Sequence, residues 1–256
     1  MSVMRRLVAV CLVALALPAL VHAASNPVVA AAKKTATAKS STFTMSVTTS
    51  VAGQLATMTG SGAQRDTDVK LTVRTRAAGV VVRFDALLLQ EGGAYVMYMR
   101  SPAFRAQLPE GKTWLRIDLA KQGASLGIDL SSLVTSSQTI APLEKGLVST
   151  TRVGSEVVAG RAATRYRALV DIKRAARALP AYGKQVAAIE RATGIRLGRT
   201  QYDVWVAGDG RIRRVHYSTP TAVGRVRGTA ASTLTFLAFD TPVSITAPPR
   251  SQVVTP

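Results

Sequence analysis

Apolar residues alternate with polar ones over most of this chain, and this period of two constrains the fold more than any other sequence feature. Phe43, Met45 and Val47 alternate with threonine and serine. Because successive side chains of a β-strand point to opposite faces, the pattern is typical of half-buried antiparallel strands. It recurs at 69–73, 80–84, 94–99, 113–119, 148–153, 164–172, 201–206, 212–218 and 226–239. The sequence therefore predicts a sheet of about ten strands.

Two segments depart from this period and are predicted to be helical. Residues 129–143 begin with a capping-type aspartate, and residues 173–193 place apolar side chains on one face before Gly194. The pair Asp209-Gly210 predicts a two-residue type I′ hairpin. The predicted fold class is α+β, with one large curved antiparallel sheet, a half-barrel, and two or three helices covering its concave face.

The N-terminal residues 1–23 are predicted to be a Sec-type signal peptide. Arg5 and Arg6 precede an apolar run at 7–20, and VHA at 21–23 places small residues before the cleavage position. The run is shorter than the ~20 residues that span a bilayer as a helix. The alternative is an uncleaved anchor. Cys11 is the only cysteine of the chain, so we expect no disulfide. We expect no lipid anchor on it either, because Val10 stands where a small residue is needed and only residues 7–10 would remain as the apolar segment.

The rest of the chain divides into three predicted parts. Residues 24–41 are rich in alanine, lysine, threonine and serine, which predicts a flexible low-complexity linker. Residues 42–240 carry the alternating pattern and form the predicted globular domain. Residues 241–256 are predicted to be an extended C-terminal tail. Hydrophobic residues make up 47% of the 256, which excludes a wholly disordered chain.

The net charge of +19, from 33 basic and 14 acidic residues, favours anionic partners. Acidic lipid headgroups, phosphorylated glycolipids and wall polymers all suit a secreted protein, and a solvated basic surface is the alternative. Nucleic acid is the weaker hypothesis because clustered aromatic residues are scarce between the basic ones. The headgroup candidates are pairs that share a strand face: Arg165 and Arg167, Arg211 and Arg213, Arg225 and Arg227.

An enzyme is not predicted, although Gly123, Ser125 and Gly127 match the G-x-S-x-G pattern of hydrolases. Aspartates and then His216 follow it in hydrolase order, but such a serine needs a buried strand inside a parallel sheet, and this sequence predicts antiparallel pairing. Asp66 and Asp68 lack the further oxygen ligands of a calcium loop. We therefore predict no catalytic residue, no metal site and no cofactor.

Several ordered motifs make the chain resemble a known family. They are YVM at 95–97, GKTWLRID at 111–118, GSEVVAG at 154–160, TRY at 164–166, DVWV at 203–206 and DGRIRRV at 209–215. In this order they resemble the actinobacterial LppX/LprG-type lipoproteins of the LolA-like superfamily, over residues 42–240. The family typically has a cysteine after the signal peptide, where this chain has VHA.

The resemblance implies a sheet wrapped around helices, with an apolar cavity that holds the acyl chains of a lipid, glycolipid or lipoprotein. The expected activity is carriage of that cargo in the cell envelope, with segment 173–193 as a lid that breaks at PAYG, residues 180–183. The alternative is an envelope-sensing or protein-interaction module without cargo. By the alternation, Trp114 and Trp205 lie on the strand face opposite to Leu115 and Val204. There they either pack in a second apolar layer, which is the favoured interpretation, or lie at the mouth of a cavity. The candidate cavity residues are Val47, Val73, Val82, Met97, Leu115, Ile117, Val170, Val204 and Leu234.

Overall fold

A computed structural model describes residues 26–119, 136–223 and 226–255. The predicted signal peptide, with Cys11, lies outside these residues. The described part holds one sheet of twelve strands. The strands are β1 Ser40–Val51, β2 Gln54–Arg65, β3 Asp68–Ala77, β4 Val80–Glu91, β5 Ala94–Arg100, β6 Trp114–Asp118, β7 Leu147–Val158, β8 Arg161–Asp171, β9 Arg199–Ala207, β10 Ile212–Val223, β11 Val226–Phe239 and β12 Val253–Val254.

The sheet runs in the order β12-β6-β5-β4-β3-β2-β1-β11-β10-β9-β8-β7. Every neighbouring pair is antiparallel except β12 with β6, where Val253 lies opposite Trp114 in a parallel pairing. The sheet is open and curved, so the predicted α+β class is confirmed. Sequence reasoning missed β2, because Gly60 and Gly62 interrupt its apolar alternation. A Cβ at Gly62 would lie 2.8 Å from the Phe43 ring and 2.7 Å from Leu71.

Four α-helices occur in the described residues: α1 Pro27–Ala36, α2 Ser136–Lys145, α3 Ile172–Ala178 and α4 Pro180–Thr193. Helix α2 overlaps the predicted segment 129–143, whose first residues lie outside the described part. The predicted segment 173–193 consists of two helices, because a proline disfavours helical geometry at the residue before it. Asp171 caps α3 by accepting from the Arg174 N–H at 2.9 Å, and α4 ends at Gly194 with φ 66°.

The prediction of a flexible linker at 24–41 is wrong, because helix α1 occupies most of it. Asn26 caps the helix by accepting from the Val28 N–H at 3.0 Å, and Pro27 suits the first helical position. Val28 and Ala31 are completely enclosed by the main core. Thr35 accepts from the buried Ile212 N–H at 2.9 Å and donates to the Ala31 carbonyl. Small alanines let this helix approach the sheet closely, which composition alone did not reveal.

The main core lies between the helices and one side of the sheet, which we call the helical face. Strand residues of this face pack against all four helices. In the centre, Phe236 meets the Phe43 ring edge-on with centroids 6.5 Å apart. The most completely buried residues of the main core are Phe236, Leu88, Leu143, Ile212, Val28, Val69, Val170, Val204 and Val215.

The opposite side of the sheet, the outer face, carries a second apolar layer under the C-terminal segment. Ile245 is buried there against Leu87, Val96 and Trp114. The predicted extended tail thus crosses the sheet without regular structure until a 3₁₀ helix, Arg250–Gln252, leads into β12. A separate small cluster on the outer face encloses Trp205. Both tryptophans pack on the outer face, as the alternation predicted.

The β9–β10 connection differs from the predicted two-residue turn. Gly210 has a positive φ of 75°, but Asp209 is not among the positive-φ residues of the described part. The Ala207 N–H donates to the Arg211 carbonyl at 3.0 Å, so the loop is longer than a type I′ turn allows. Asp209 instead accepts from the Arg211 N–H and from the Arg213 guanidinium. The prediction of a hairpin is confirmed and its turn type is wrong.

Candidate functional site

The strand register places all nine cavity candidates on the helical face. Val170 and Val204 are completely buried and Val73 and Leu234 nearly so, which makes these four ordinary core residues. Val82, by contrast, lies exposed near the β3–β4 turn. The partly buried remainder are Val47, Met97, Leu115 and Ile117. None of the nine lines the pocket described next, so their role as cavity residues stays a prediction.

A pocket of about 290 Å³ lies between helix α4 and strands β9 to β11 on the helical face. Tyr202 and Tyr217 form its floor, and Tyr182 of α4 faces them. Apolar side chains supply much of the remaining wall. The lining residues are Pro142, Ile172, Tyr182, Gln185, Val186, Ile189, Leu197, Tyr202, Tyr217, Thr219, Pro220, Thr221, Ala230 and Ser232. An apolar wall with a few converging polar groups is the usual composition of a site for a small organic ligand.

The three tyrosines keep their hydroxyls neutral at physiological pH. The rings of Tyr202 and Tyr217 stack with centroids 4.7 Å apart. Burial raises the pKa of Tyr182 to about 12, and it raises the pKa of both Tyr202 and Tyr217 as well. Tyr182 and Tyr202 share a hydrogen bond, and Tyr217 shares one with Ser232. Neutral phenols present an apolar ring to a hydrocarbon chain and a hydroxyl to a polar group.

Gln185 adds an acceptor to this wall. Its Oε1 atom is buried and has no hydrogen-bond partner among the described residues. Leaving a buried acceptor unpaired costs about 1–3 kcal/mol. A hydroxyl or amide donor of a bound molecule would remove that cost. The pocket therefore suits a ligand that combines an apolar part with a polar group.

Helix α4, which forms one wall of the pocket, joins α3 at a tight corner. The Gly183 N–H donates to the Leu179 carbonyl at 2.8 Å, and Leu179 itself donates to Ala175. A Cβ at Gly183 would lie 2.6 Å from the Ala176 carbonyl oxygen. Only glycine permits this approach of the two helices. The break predicted at residues 180–183 thus lies directly beside the pocket.

Most of the arginines predicted to bind a headgroup are engaged within the protein. Arg165 contacts Asp203 at 2.7 Å and lies over the Trp205 ring, while the more exposed Arg167 is 4.0 Å from the same carboxylate. The resulting hydrogen bond raises the pKa of Arg165. These contacts leave Arg165 little capacity for a separate anion.

The second predicted pair does not form an exposed basic face. Arg213 is buried, contacts Asp209 at 2.6 Å and stacks on Phe239, and Arg211 contacts Asp240 at 2.5 Å. A bulge between Ile212 and Arg214 breaks the alternation on which the prediction relied. Of the third pair, Arg225 lies outside the described residues and Arg227 is exposed.

A larger cavity of about 550 Å³ lies on the outer face beneath residues 244–249. Its wall includes Lys70, Arg83, Asp85 and Arg100. Arg100 contacts Asp85 at 2.7 Å, and Thr72 donates a hydrogen bond to the same carboxylate. Burial raises the pKa of Asp85, but these two partners together lower it below its ordinary value. This charged lining is unsuited to an acyl chain.

Sequence reasoning missed the residues that distinguish the pocket. Tyr202 and Tyr217 occupy helical-face positions of predicted strands, two residues from Val204 and Val215 respectively. The alternation therefore contained the signal for both. Tyr182 and Gln185 had no such signal, because helix α4 reaches the sheet only through the tertiary fold. His216 lies on the outer face, 2.9 Å from the Thr233 hydroxyl, and Ser125 lies outside the described residues.

Comparisons with known proteins add a fold-level likeness. Mycobacterium tuberculosis lipoprotein LppX is similar with a TM-score of 0.46 and 14% identity, covering 87% of this chain and 100% of that one. LprF from Mycobacterium bovis has a TM-score of 0.47 and 16% identity, covering 87% and 95%. A DUF1329 family protein from Desulfovibrio piger has a TM-score of 0.28 and 11% identity, covering 86% and 92%. No family model and no curated protein matches the sequence.

Two absences concern only the described residues. None of their helices is long and apolar enough to cross a membrane. Across 26–119, 136–223 and 226–255, no three or more His, Cys, Asp or Glu side chains gather as a metal site would require.

Proposed function

We propose that this protein is an extracytoplasmic carrier of the LppX/LprG type that holds an acyl chain of a lipid, glycolipid or lipoprotein between helix α4 and the sheet. The observation that carries the proposal is the pocket with apolar walls, three neutral tyrosines and the unpaired Oε1 of Gln185. Burying hydrocarbon contributes ~0.8 kcal/mol per methylene before entropy costs. The tyrosine hydroxyls and Gln185 bind the polar group where the chain begins.

Helix α4 acts as a lid in this mechanism. A volume of about 290 Å³ is at the lower limit of ligand pockets, which span about 300–1,000 Å³. A complete lipid therefore requires the helix to move away from the sheet. The corner at Leu179 and Pro180 is the place where backbone rotation moves α4 while α3 stays on the core. The reaction is physical transfer, and no bond is made or broken.

The test is native mass spectrometry of the protein from its own host, followed by extraction and identification of any lipid. We expect a stoichiometric amphiphile. Filling the pocket with Ala230→Phe should abolish loading, whereas Ala231→Phe should preserve it, because the register places Ala230 on the helical face and Ala231 on the outer face. A ligand-free protein that takes up no added phospholipid or glycolipid would refute the carrier.

A cross-link between α4 and the sheet tests the lid separately. Ile189 and Thr219 line the pocket from α4 and β10, so cysteines at these two positions can be joined by a bifunctional thiol reagent. We expect the cross-linked variant to block loading and the same variant without the reagent to load. Unchanged loading after cross-linking would refute the lid and leave the carrier proposal intact.

The alternative function is a protein-interaction or envelope-sensing module without lipid cargo. Strand β7 forms one edge of the sheet and exposes Val148, Val153 and Val157. Exposed edge strands with apolar side chains can pair with a strand of another protein. A ligand-free mass combined with a defined partner complex that Val157→Lys disrupts would favour this function.

A further inference from the structure

Three β-hairpins end at the same edge of the sheet. The register aligns Val51 with both Gln54 and Gly228, and Ala77 with both Ala56 and Val80. The β1–β2 turn, the β3–β4 turn and the paired ends of β10 and β11 therefore lie side by side. We call this region the hairpin edge and define it as residues 51–55, 74–83 and 226–227. With strands about 4.8 Å apart, its six strands span about 24 Å.

The hairpin edge exposes apolar side chains. Val80 is 62% exposed and Leu55 59%, and Val81, Val82 and Val226 are exposed as well. They come from three separate hairpins, and the register of the sheet brings them to one end of it. Val80, Val82 and Val226 lie on the helical face there, and Leu55 and Val81 lie on the outer face. Exposed apolar side chains that are grouped at one place and bordered by polar residues are typical of protein or membrane interaction sites.

The same edge is strongly basic. Arg74 and Arg83 lie directly opposite each other on the outer face. Arg76 lies on the same face, two residues closer to the β3–β4 turn, and Arg227 is exposed on β11. Like charges in directly opposed positions destabilise a sheet. Segments 40–65, 69–84 and 210–239 contain no Asp or Glu. Among the described residues, no carboxylate lies within ion-pair distance of these four arginines, although the nearby charge of Arg83 helps to lower the pKa of Asp85.

We propose that the hairpin edge docks on the surface of a lipid bilayer that contains anionic lipids. The arginines meet the headgroups, and the valines and Leu55 enter the boundary between headgroups and acyl chains. Arg74, Arg83, Thr59 and Ser61 line one shallow depression, which offers guanidinium and hydroxyl donors to a phosphate. A soluble polyanion would use the arginines but leave the apolar tips in water, so the bilayer accounts for both features.

Docking in this orientation places the pocket near the membrane. Thr219, Thr221 and Ala230 of the pocket lie on the parts of β10 and β11 that lead to the hairpin edge. The route of a chain from bilayer to pocket is then short. This consequence rests on the proposed carrier function, whereas docking itself does not.

The experiment measures co-sedimentation with vesicles of phosphatidylglycerol and phosphatidylcholine, or of phosphatidylcholine alone. The full chain is expressed in a secreting host, and mass spectrometry defines the N-terminus of the purified protein. We expect binding to the anionic vesicles that weakens with salt. The triple variant Arg74→Gln, Arg76→Gln and Arg83→Gln should bind roughly a hundredfold more weakly. The matched triple Arg161→Gln, Arg177→Gln and Arg196→Gln, also exposed, should bind nearly as well as the parent.

A site-specific probe tests the orientation even if an N-terminal segment binds vesicles by itself. An environment-sensitive dye on Val81→Cys should shift to the blue with anionic vesicles, and one on Val157→Cys should not. Val157 is an exposed valine at the opposite end of the sheet. Cys11, if retained, is serine in both proteins. Equal shifts, or no shift at Val81, would overturn the proposal.

The outcomes separate docking from carriage. Vesicle binding without any lipid loading would refute the carrier and leave docking standing. Loading from detergent micelles by a protein that ignores vesicles would refute docking alone. Equal affinity of the two triple variants for anionic vesicles would show that charge acts without a defined edge, and would overturn the proposal.

Discussion

The two halves of the sheet have similar strand patterns but are covered in different ways. Strands β8 to β11 bury their helical face under the helices, and Val170, Val204 and Val215 are completely enclosed. Strands β3 to β6 leave helical-face residues such as Leu71 and Ile117 partly exposed and instead bury their outer face under Ile245. Alternation therefore specifies which residues share a face, whereas the distant segment that packs there specifies which face is buried.

The largest loss of stability should come from a substitution at the centre of strands β8 to β11, the half of the sheet that the helices cover. Phe236→Ala removes a ring that is almost completely buried between Phe43 and Phe239, and it should lower the free energy of unfolding by about 3–5 kcal/mol. Leu237→Ala, the exposed neighbour, should cost less than about 0.5 kcal/mol. Urea titration measures both. Similar losses would show that the face assignment of β11 is wrong.

The second largest loss of stability should come from a substitution in the layer that covers the outer face of strands β3 to β6. Ile245→Ala opens the outer-face layer against Trp114 and should cost about 2–4 kcal/mol. Trp114 fluorescence should report the change more strongly than Trp205 fluorescence, since Trp205 lies in a separate cluster. Single-tryptophan variants measured by urea titration distinguish the two. Identical transitions at both tryptophans with no loss of stability would contradict a structural role for the C-terminal segment.

Alkaline pH should destabilise the protein through the buried tyrosines of strands β9 and β10 and helix α4. The pKa of Tyr182 is about 12 in the folded protein, against about 10 in an unfolded chain. The unfolded state therefore loses its proton first, and stability that is complete below pH 10 falls as the pH rises from 10 to 12. We expect the free energy of unfolding to fall by an amount on the order of 2 kcal/mol. Circular dichroism measures the unfolding, and tyrosinate absorbance measures the ionisation of the tyrosines.

Tyr182→Phe is the control for this prediction. It removes one titrating group from the pocket and should flatten the decline in stability above pH 10. Tyr202 and Tyr217, whose pKa values are also raised by burial, would cause the decline that persists. An unchanged slope would show that Tyr182 is accessible to solvent in the folded state.

The smallest effect concerns one ion pair in each half. Arg165→Gln removes the partner of Asp203, which is mostly buried, and should cost about 1 kcal/mol. Arg100→Gln removes a more exposed guanidinium from Asp85 and should cost about 0.5 kcal/mol or less. Urea titration in low and high salt measures both. A larger loss of stability for Arg100→Gln than for Arg165→Gln would contradict this ranking of the two ion pairs.

Sequence reasoning recovered the elements whose signal is local. The alternation at 43–47 and 69–73 identified β1 and β3, and it placed both tryptophans on the outer face. It failed at β2, where Gly60 and Gly62 replace apolar residues because neighbouring side chains occupy their space. It failed again at Arg213, because a bulge shifts the register by one residue and takes that side chain into the interior.

By itself, the sequence determined the antiparallel sheet, the helical inserts and the basic character of the chain, because strand alternation and charge are properties of residues close together in the chain. The tertiary structure decided the rest. The sequence did not predict helix α1, because its alanine-rich segment lacks a strong apolar pattern and the helix is buried only through its packing on the core. Tyr182 and Gln185 form a pocket with Tyr202 and Tyr217 only because helix α4 packs on the sheet. Three separate hairpins form the hairpin edge only because strand pairing joins segments that are far apart in the chain.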